Sequence, residues 1–133
     1  MSFAVASIIL KNKKILLLKR SSKTLSCPNT WVCPGGSGEE GETPEEAVIR
    51  ETKEEINLDF NPSVVYQYQK KLDREYFKFL GTFSGQEKKL GQEVQEFGWF
   101  SYSEAIKLNF GFDFRELIES LKCAGKLYLL NHS

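Results

Sequence analysis

Residues 35–58 read GGSGEEGETPEEAVIRETKEEINL, and the reading of this stretch decides the fold and the chemistry. Eight glutamates fall within its 24 residues. Thr43 is a good helix N-cap, and Glu46 three positions later completes a capping box. Pro44 takes the first helical position, where its missing N–H costs nothing. Glu45 and Glu46 sit at the positive end of the helix dipole. Val48, Thr52 and Ile56 recur every four residues, with Ile49 beside them, and are expected to face a core. Asn57 suits a left-handed C-terminal residue, and Pro62 lies beyond. The pattern predicts a well-bounded helix starting at Pro44.

The other side of that helix is acidic. At 100° per residue, Glu51, Glu54 and Glu55 fall in one arc of about 100°. Like charges so close repel and raise one another's pKa, so the arrangement gains nothing unless a cation joins it. Hard divalent cations prefer oxygen ligands, and Mg²⁺ takes a few carboxylates together with waters and phosphates. Arg50 lies next to the arc and is placed to brace one carboxylate. A solvated acidic face, with Arg50 and Lys53 as local partners, is the plain alternative. The preceding loop weighs against it. Gly35-Gly36 allows close backbone approach, and Glu39 and Glu42 bring further carboxylates to the mouth of the helix.

These residues carry a resemblance. Gly36, Glu42, Arg50, Glu51, Glu54, Glu55 and Leu58 match the Nudix box, G-x5-E-x7-R-E-U-x-E-E-x-G-U, in register (U, bulky aliphatic). The lead-in from Trp31 to Glu42 is similar to that of the family too. Two positions depart: Thr52 replaces the aliphatic residue and Asn57 the glycine. Both changes spare every acidic position. Thr is close to Val in shape, and Asn is the non-glycine residue best suited to a left-handed conformation.

The resemblance implies an α/β fold, a Nudix-type α/β/α sandwich with a mixed sheet and a loop–helix–loop catalytic motif. It implies Mg²⁺- or Mn²⁺-dependent hydrolysis of a nucleoside diphosphate linked to another moiety. Carried over by position, Glu51, Glu54 and Glu55 would be metal ligands, with the Gly36 carbonyl adding a fourth. Arg50 would orient a glutamate, and Glu42 would support the loop through a salt bridge. A general base outside the box is expected at Glu93, six residues before Trp99, with Glu96 as the alternative. Arg20, Gly36 and Glu39 are the candidate substrate contacts. A small nucleotide, a nucleoside triphosphate first, is the expected substrate. ADP-ribose and nucleotide sugars are alternatives. So are a catalytically silent nucleotide-binding domain and, through Cys33, an isoprenoid diphosphate isomerase.

The rest of the chain is β-rich. Phe3–Leu10 and Ile15–Arg20 read as strands around a lysine-rich turn, and Trp31–Cys33 as a short strand stopped by Pro34-Gly35-Gly36. Beyond Pro62, Val64–Leu72 and Glu75–Phe83 read as a hairpin turning at Asp73-Arg74. Residues 84–92 read as a loop and Phe97–Phe100 as a strand. Ser103 is expected to cap a short helix, Glu104 to Leu108. Asp113 is expected to start a last helix with Phe114, Leu117, Ile118 and Leu121 inward, ended by Gly125. Phe110, Phe112 and Phe114 are expected in the core rather than in a base-stacking slot.

Size and composition fit this picture. The chain has 133 residues, 41% hydrophobic and 27% charged, with zero formal net charge. Such a chain is expected to form a single domain over 1–133. Zero net charge argues against stable nucleic-acid or membrane-surface binding. Three cysteines without CxxC spacing and no signal-peptide pattern lead to the expectation of a cytoplasmic protein with reduced thiols, monomeric or homodimeric. His132, near the C-terminus, is given no role.

Overall fold

The computed structural model describes residues 2–129, and the expectation for His132 lies outside them. The chain forms two compact units, Met1–Ile9 with Pro34–Gly91, and Leu10–Cys33 with Gln92–Ser133. Among the described residues, no helix is long and apolar enough to cross a membrane.

The first unit is a four-stranded mixed sheet with one helix. Its strands are β1 (Ser2–Ile8), β5 (Gly35–Ser37), β6 (Asp59–Lys71) and β7 (Arg74–Ser84), and its helix is α1 (Pro44–Ile56). The order across the sheet is β5-β1-β7-β6. β1 runs parallel to β7 and antiparallel to β5, and β6 and β7 form an antiparallel hairpin. The expected α/β class with a mixed sheet is therefore present.

The local corrections have physical causes. The short strand Trp31–Val32 stops before Pro34 as expected, but Gly35 and Gly36 then begin a further strand, β5, pairing with Ala6 and Val5. A side chain at Gly35 would collide with the Val5 carbonyl oxygen, so only glycine fits this close approach. β6 begins at Asp59 and runs through Pro62 instead of starting after it. The strand lies at the sheet edge, where a missing N–H is tolerated, and its ladder shifts register between Pro62 and Val64. The hairpin turns at Leu72-Asp73, one residue earlier than expected, with Leu72 at φ 54°. Ile49 is 42% exposed, whereas Ala47, Val48, Thr52 and Ile56 are buried.

The second unit contains an antiparallel sheet and two helices. Its strands are β2 (Leu10–Lys11), β3 (Lys14–Arg20), β4 (Trp31–Val32) and β8 (Val94–Phe100). β3 pairs with all three of the others. The expected first strand, Phe3–Leu10, is thus divided: Leu10 pairs with Ile15 in this sheet. Asn12 and Lys13, both with positive φ near 55° (53° and 57°), form the two-residue hairpin turn. The short helix α2 (Tyr102–Ala105) is capped by Ser101, not Ser103, and Ser101 and Glu104 form its capping box. α3 (Phe114–Cys123) buries Phe114, Leu117, Ile118 and Leu121 as expected, and Asp113 precedes it without a side-chain cap.

Candidate active site

α1 starts where its sequence says it should. Thr43 Oγ1 accepts the Glu46 N–H at 3.1 Å, and Glu46 Oε1 accepts the Thr43 N–H at 2.9 Å. Asn57 ends the helix in the left-handed region at φ 66°. The last carbonyls are also satisfied, since Lys88 N–H donates to Ile56 O and Leu90 N–H to Glu55 O. On the inner side, Thr52 is fully buried, so its hydroxyl needs partners. Thr52 Oγ1 donates to Val48 O at 2.7 Å and lies 2.9 Å from Ser7 Oγ on β1. The departure at Thr52 is thus matched by a serine on the facing strand.

With the inner side fixed, the charged side projects. Arg50 is its centre. Nε donates to Glu42 Oε2 at 2.7 Å and Nη2 to Glu42 Oε1 at 2.9 Å, a two-pronged contact. Nη1 donates to Glu51 Oε1 at 3.0 Å and to Glu54 Oε2 at 3.2 Å. Nη2 also donates to the Ser37 carbonyl at 3.2 Å, and Glu39 Oε1 lies 3.5 Å from Nε. The Glu39 N–H in turn donates to Glu42 Oε1 at 2.7 Å. Hydrogen bonds from Arg50 and then from the Glu39 backbone bring the Glu42 carboxyl from its ordinary 4.5 to about 2. Arg50 is pushed up in return, first by Glu42 and then, against the opposing effect of burial, by Glu51.

The glycines border the Glu55 and Glu51 carboxylates. Gly35 N–H donates to Glu55 Oε1 at 2.7 Å. A Cβ on Gly36 would fall 2.6–2.8 Å from the carboxylate atoms of Glu51. The loop backbone and the helix carboxylates therefore meet with no room for a side chain. Glu51 is largely shielded, at 16% side-chain exposure, and Glu54 is open at 58%.

The residues that would hold a metal ion can be judged from this geometry. Among the described residues, no group of three or more His, Cys, Asp or Glu side chains stands ready-made as a metal cage. The donor chemistry nevertheless fits a hard divalent cation. Glu51 and Glu54 already converge on one cationic nitrogen, Arg50 Nη1. All the donors in question are oxygens.

Gly36, Glu39, Glu42, Arg50, Glu51, Glu54 and Glu55 are thus brought together within the first unit. Arg20, Glu93 and Glu96 belong to the second. Arg20 Nε donates to Ser26 O at 3.0 Å, and its guanidinium lies 5.4 Å from the centre of the Phe112 ring. Glu93 precedes β8, its carbonyl accepts the Ser21 N–H at 2.9 Å, and it borders a shallow hollow with Lys23 and Gln92. Glu96 lies within β8 opposite Lys19. Cys33 is buried, Cys27 half-buried and Cys123 exposed, all as free thiols.

Phe112 is a correction to the sequence reading. Phe114 is buried as expected, but Phe112 is 59% exposed and held at φ 53°. Phe112 thus lies outside the core, with the Arg20 guanidinium over its ring.

Comparison with known proteins gives the family of the chain. The family model described as NUDIX domain matches residues 1–121. An ADP-ribose pyrophosphatase of Methanocaldococcus jannaschii is 34% identical over 122 residues, covering 87% of this chain and 70% of that protein. A putative 8-oxo-dGTP diphosphatase of Bacillus subtilis is 33% identical over 101 residues, covering 74% and 64%. A MutT structure from work on Aliivibrio salmonicida and Vibrio cholerae superposes with a TM-score of 0.80 at 23% identity, covering 92% of this chain and 98% of that one. The chain belongs to the Nudix family of hydrolases.

Proposed function

We propose that this Nudix hydrolase cleaves the diphosphate linkage of a small nucleotide, a nucleoside triphosphate first, with Mg²⁺ or Mn²⁺. One observation carries the reading: Arg50 ties Glu42, Glu51 and Glu54 into one cluster while Gly35 holds Glu55. Glu51, Glu54, Glu55 and the Gly36 carbonyl would hold the metal, which when bound neutralises phosphate charge and lowers the pKa of the attacking water. Arg50 keeps the carboxylates oriented. Glu42 anchors Arg50 and spans the loop. Glu39, exposed at the rim, faces the substrate side. Glu93 takes the proton from the water, with Glu96 as the fallback. Arg20 is the candidate contact for a substrate phosphate.

The active form is a single domain over 1–133, a cytoplasmic monomer or homodimer that acts on free small nucleotides. A second reading, ADP-ribose as substrate, is favoured by the Methanocaldococcus jannaschii relative. The test is a panel of nucleoside triphosphates, ADP-ribose and nucleotide sugars, each with Mg²⁺, Mn²⁺ or chelator. Phosphate and pyrophosphate release is the readout. Glu54→Gln should lower the rate at least ~100-fold with the fold intact. An unaffected Glu54→Gln would remove the ligand assignment. Absence of metal-dependent turnover on every substrate would leave the silent binding domain as the better account.

A further inference from the structure

Two arginines reach Ser37, the residue after Gly36. Arg50 Nη2 donates to its carbonyl at 3.2 Å, and Arg74 Nη2 donates to its hydroxyl at 2.7 Å. They differ in what else they touch. Arg50 is surrounded by Glu39, Glu42, Glu51 and Glu54. Arg74 Nη1 donates to Ser2 Oγ at 3.4 Å, and its guanidinium lies 5.7 Å from the centre of the Tyr76 ring. Among the described residues, no carboxylate forms an ion pair with Arg74. A hydroxyl satisfies a donor without neutralising its charge. One arginine at this loop is therefore saturated, and the other keeps its positive charge one residue from Gly36.

The register explains how Arg74 gets there. It opens β7 opposite Ser2 of β1, and β1 pairs on its other side with Ser37 through Ala4. The guanidinium passes over β1 where the side chains are small, Ser2 and Ala4. Tyr76 supports it from the next position on its own strand facing the same way. A guanidinium held this way offers planar paired donors, the geometry that phosphate oxygens match.

We propose that Arg74 binds a substrate phosphate beyond the two joined by the cleaved bond, and so selects nucleoside triphosphates over diphosphates ending in a neutral sugar. This rests on the box being the diphosphate site. There the carboxylates and metal address the cleaved linkage, and Arg74 is a cation beside the same loop, open to a further anionic group.

The experiment compares dGTP with ADP-ribose at saturating Mg²⁺ for the wild type, Arg74→Ala and Arg74→Lys. Arg74→Ala should lower kcat/KM on dGTP at least ~30-fold, mostly through KM, and lower dGTP-to-ADP-ribose selectivity at least ~10-fold. Arg74→Lys should restore part of that selectivity. Equal losses on both substrates would make Arg74 only a prop for the Ser37 loop and overturn the proposal. So would no loss on either, or a wild type that hydrolyses ADP-ribose alone. If the wild type hydrolyses neither, or dGTP alone, calorimetry with inorganic tripolyphosphate and pyrophosphate decides. The wild type should prefer tripolyphosphate and Arg74→Ala should lose that preference; an unchanged preference overturns the proposal. A wild type inactive on every nucleotide counts against the box reading, and the calorimetry tests Arg74 separately.

Discussion

Arg50 and Glu42 meet through two hydrogen bonds, at 2.7 and 2.9 Å, that join the helix to the loop residue eight positions before Arg50. The contact makes a pH-dependent strut. The Glu42 carboxyl is held at about 2 instead of its ordinary 4.5. A depressed acid stabilises the fold in full above its unfolded pKa and loses that contribution as pH falls toward its folded pKa. The window for Glu42 therefore runs from about pH 4.5 down to about pH 2. Glu42→Gln should be less stable than the wild type at neutral pH, and the gap should narrow through that window. Denaturant melts across the range give the answer. A gap that stays constant would mean the ionised form of Glu42 does not support the fold.

Gly36 is predicted to tolerate no side chain without cost to activity. The Cβ of Gly36→Ala would press on the Glu51 carboxylate at 2.6–2.8 Å. A flexible glutamate can swing away, so the fold should survive with a small change in melting temperature. The displaced carboxylate loses its place beside Arg50 Nη1, and metal-dependent turnover should fall at least ~10-fold. Wild-type turnover in Gly36→Ala would show that Glu51 has no fixed position to lose.

How much of this could be read in advance depends on where each signal lies. α1 was legible because its signals are local: Thr43, Pro44, Glu46 and Asn57 each act within one helical turn. The acidic cluster was legible as spacing, but not the reach of Arg50, which depends on the loop folding back to bring Glu42 within hydrogen-bond distance. The start of β6 is not legible locally: a proline marks a break unless the strand lies at a sheet edge, and edge position depends on residues far away in sequence. Ser101-x-x-Glu104 is itself a local capping-box signal, and it competes with Ser103 two residues on. Arg74 carries no sequence signal at all; its meeting with Ser37 arises from β1 pairing with β5 on one side and β7 on the other.

Thr52 and Ser7 should behave as a coupled pair. Both are fully buried. Thr52→Val alone leaves Ser7 with one fewer partner, and Ser7→Ala alone leaves the Thr52 hydroxyl bonded only within its own helix. Each single change should cost about 1 kcal/mol, and the double variant should cost clearly less than their sum. A double-mutant cycle by denaturant unfolding measures the coupling. Strict additivity would mean that the 2.9 Å contact between the two hydroxyls contributes nothing.

Leu72 sits at the tip of the β6–β7 hairpin with φ 54° and is 95% exposed. Its side chain buries nothing there, while a branched residue in the left-handed region costs on the order of 1–2 kcal/mol. Glycine removes that steric cost but makes the unfolded chain more flexible, which takes back part of the gain. Leu72→Gly should therefore stabilise modestly, by about 0.5–1 kcal/mol. Leu72→Asn should keep most of the gain with a smaller entropic penalty. Kinetics on the preferred nucleotide should stay at wild-type values for both. A destabilised Leu72→Asn would show that the leucine makes a contact worth more than its strain, which at this exposure only a partner molecule could provide.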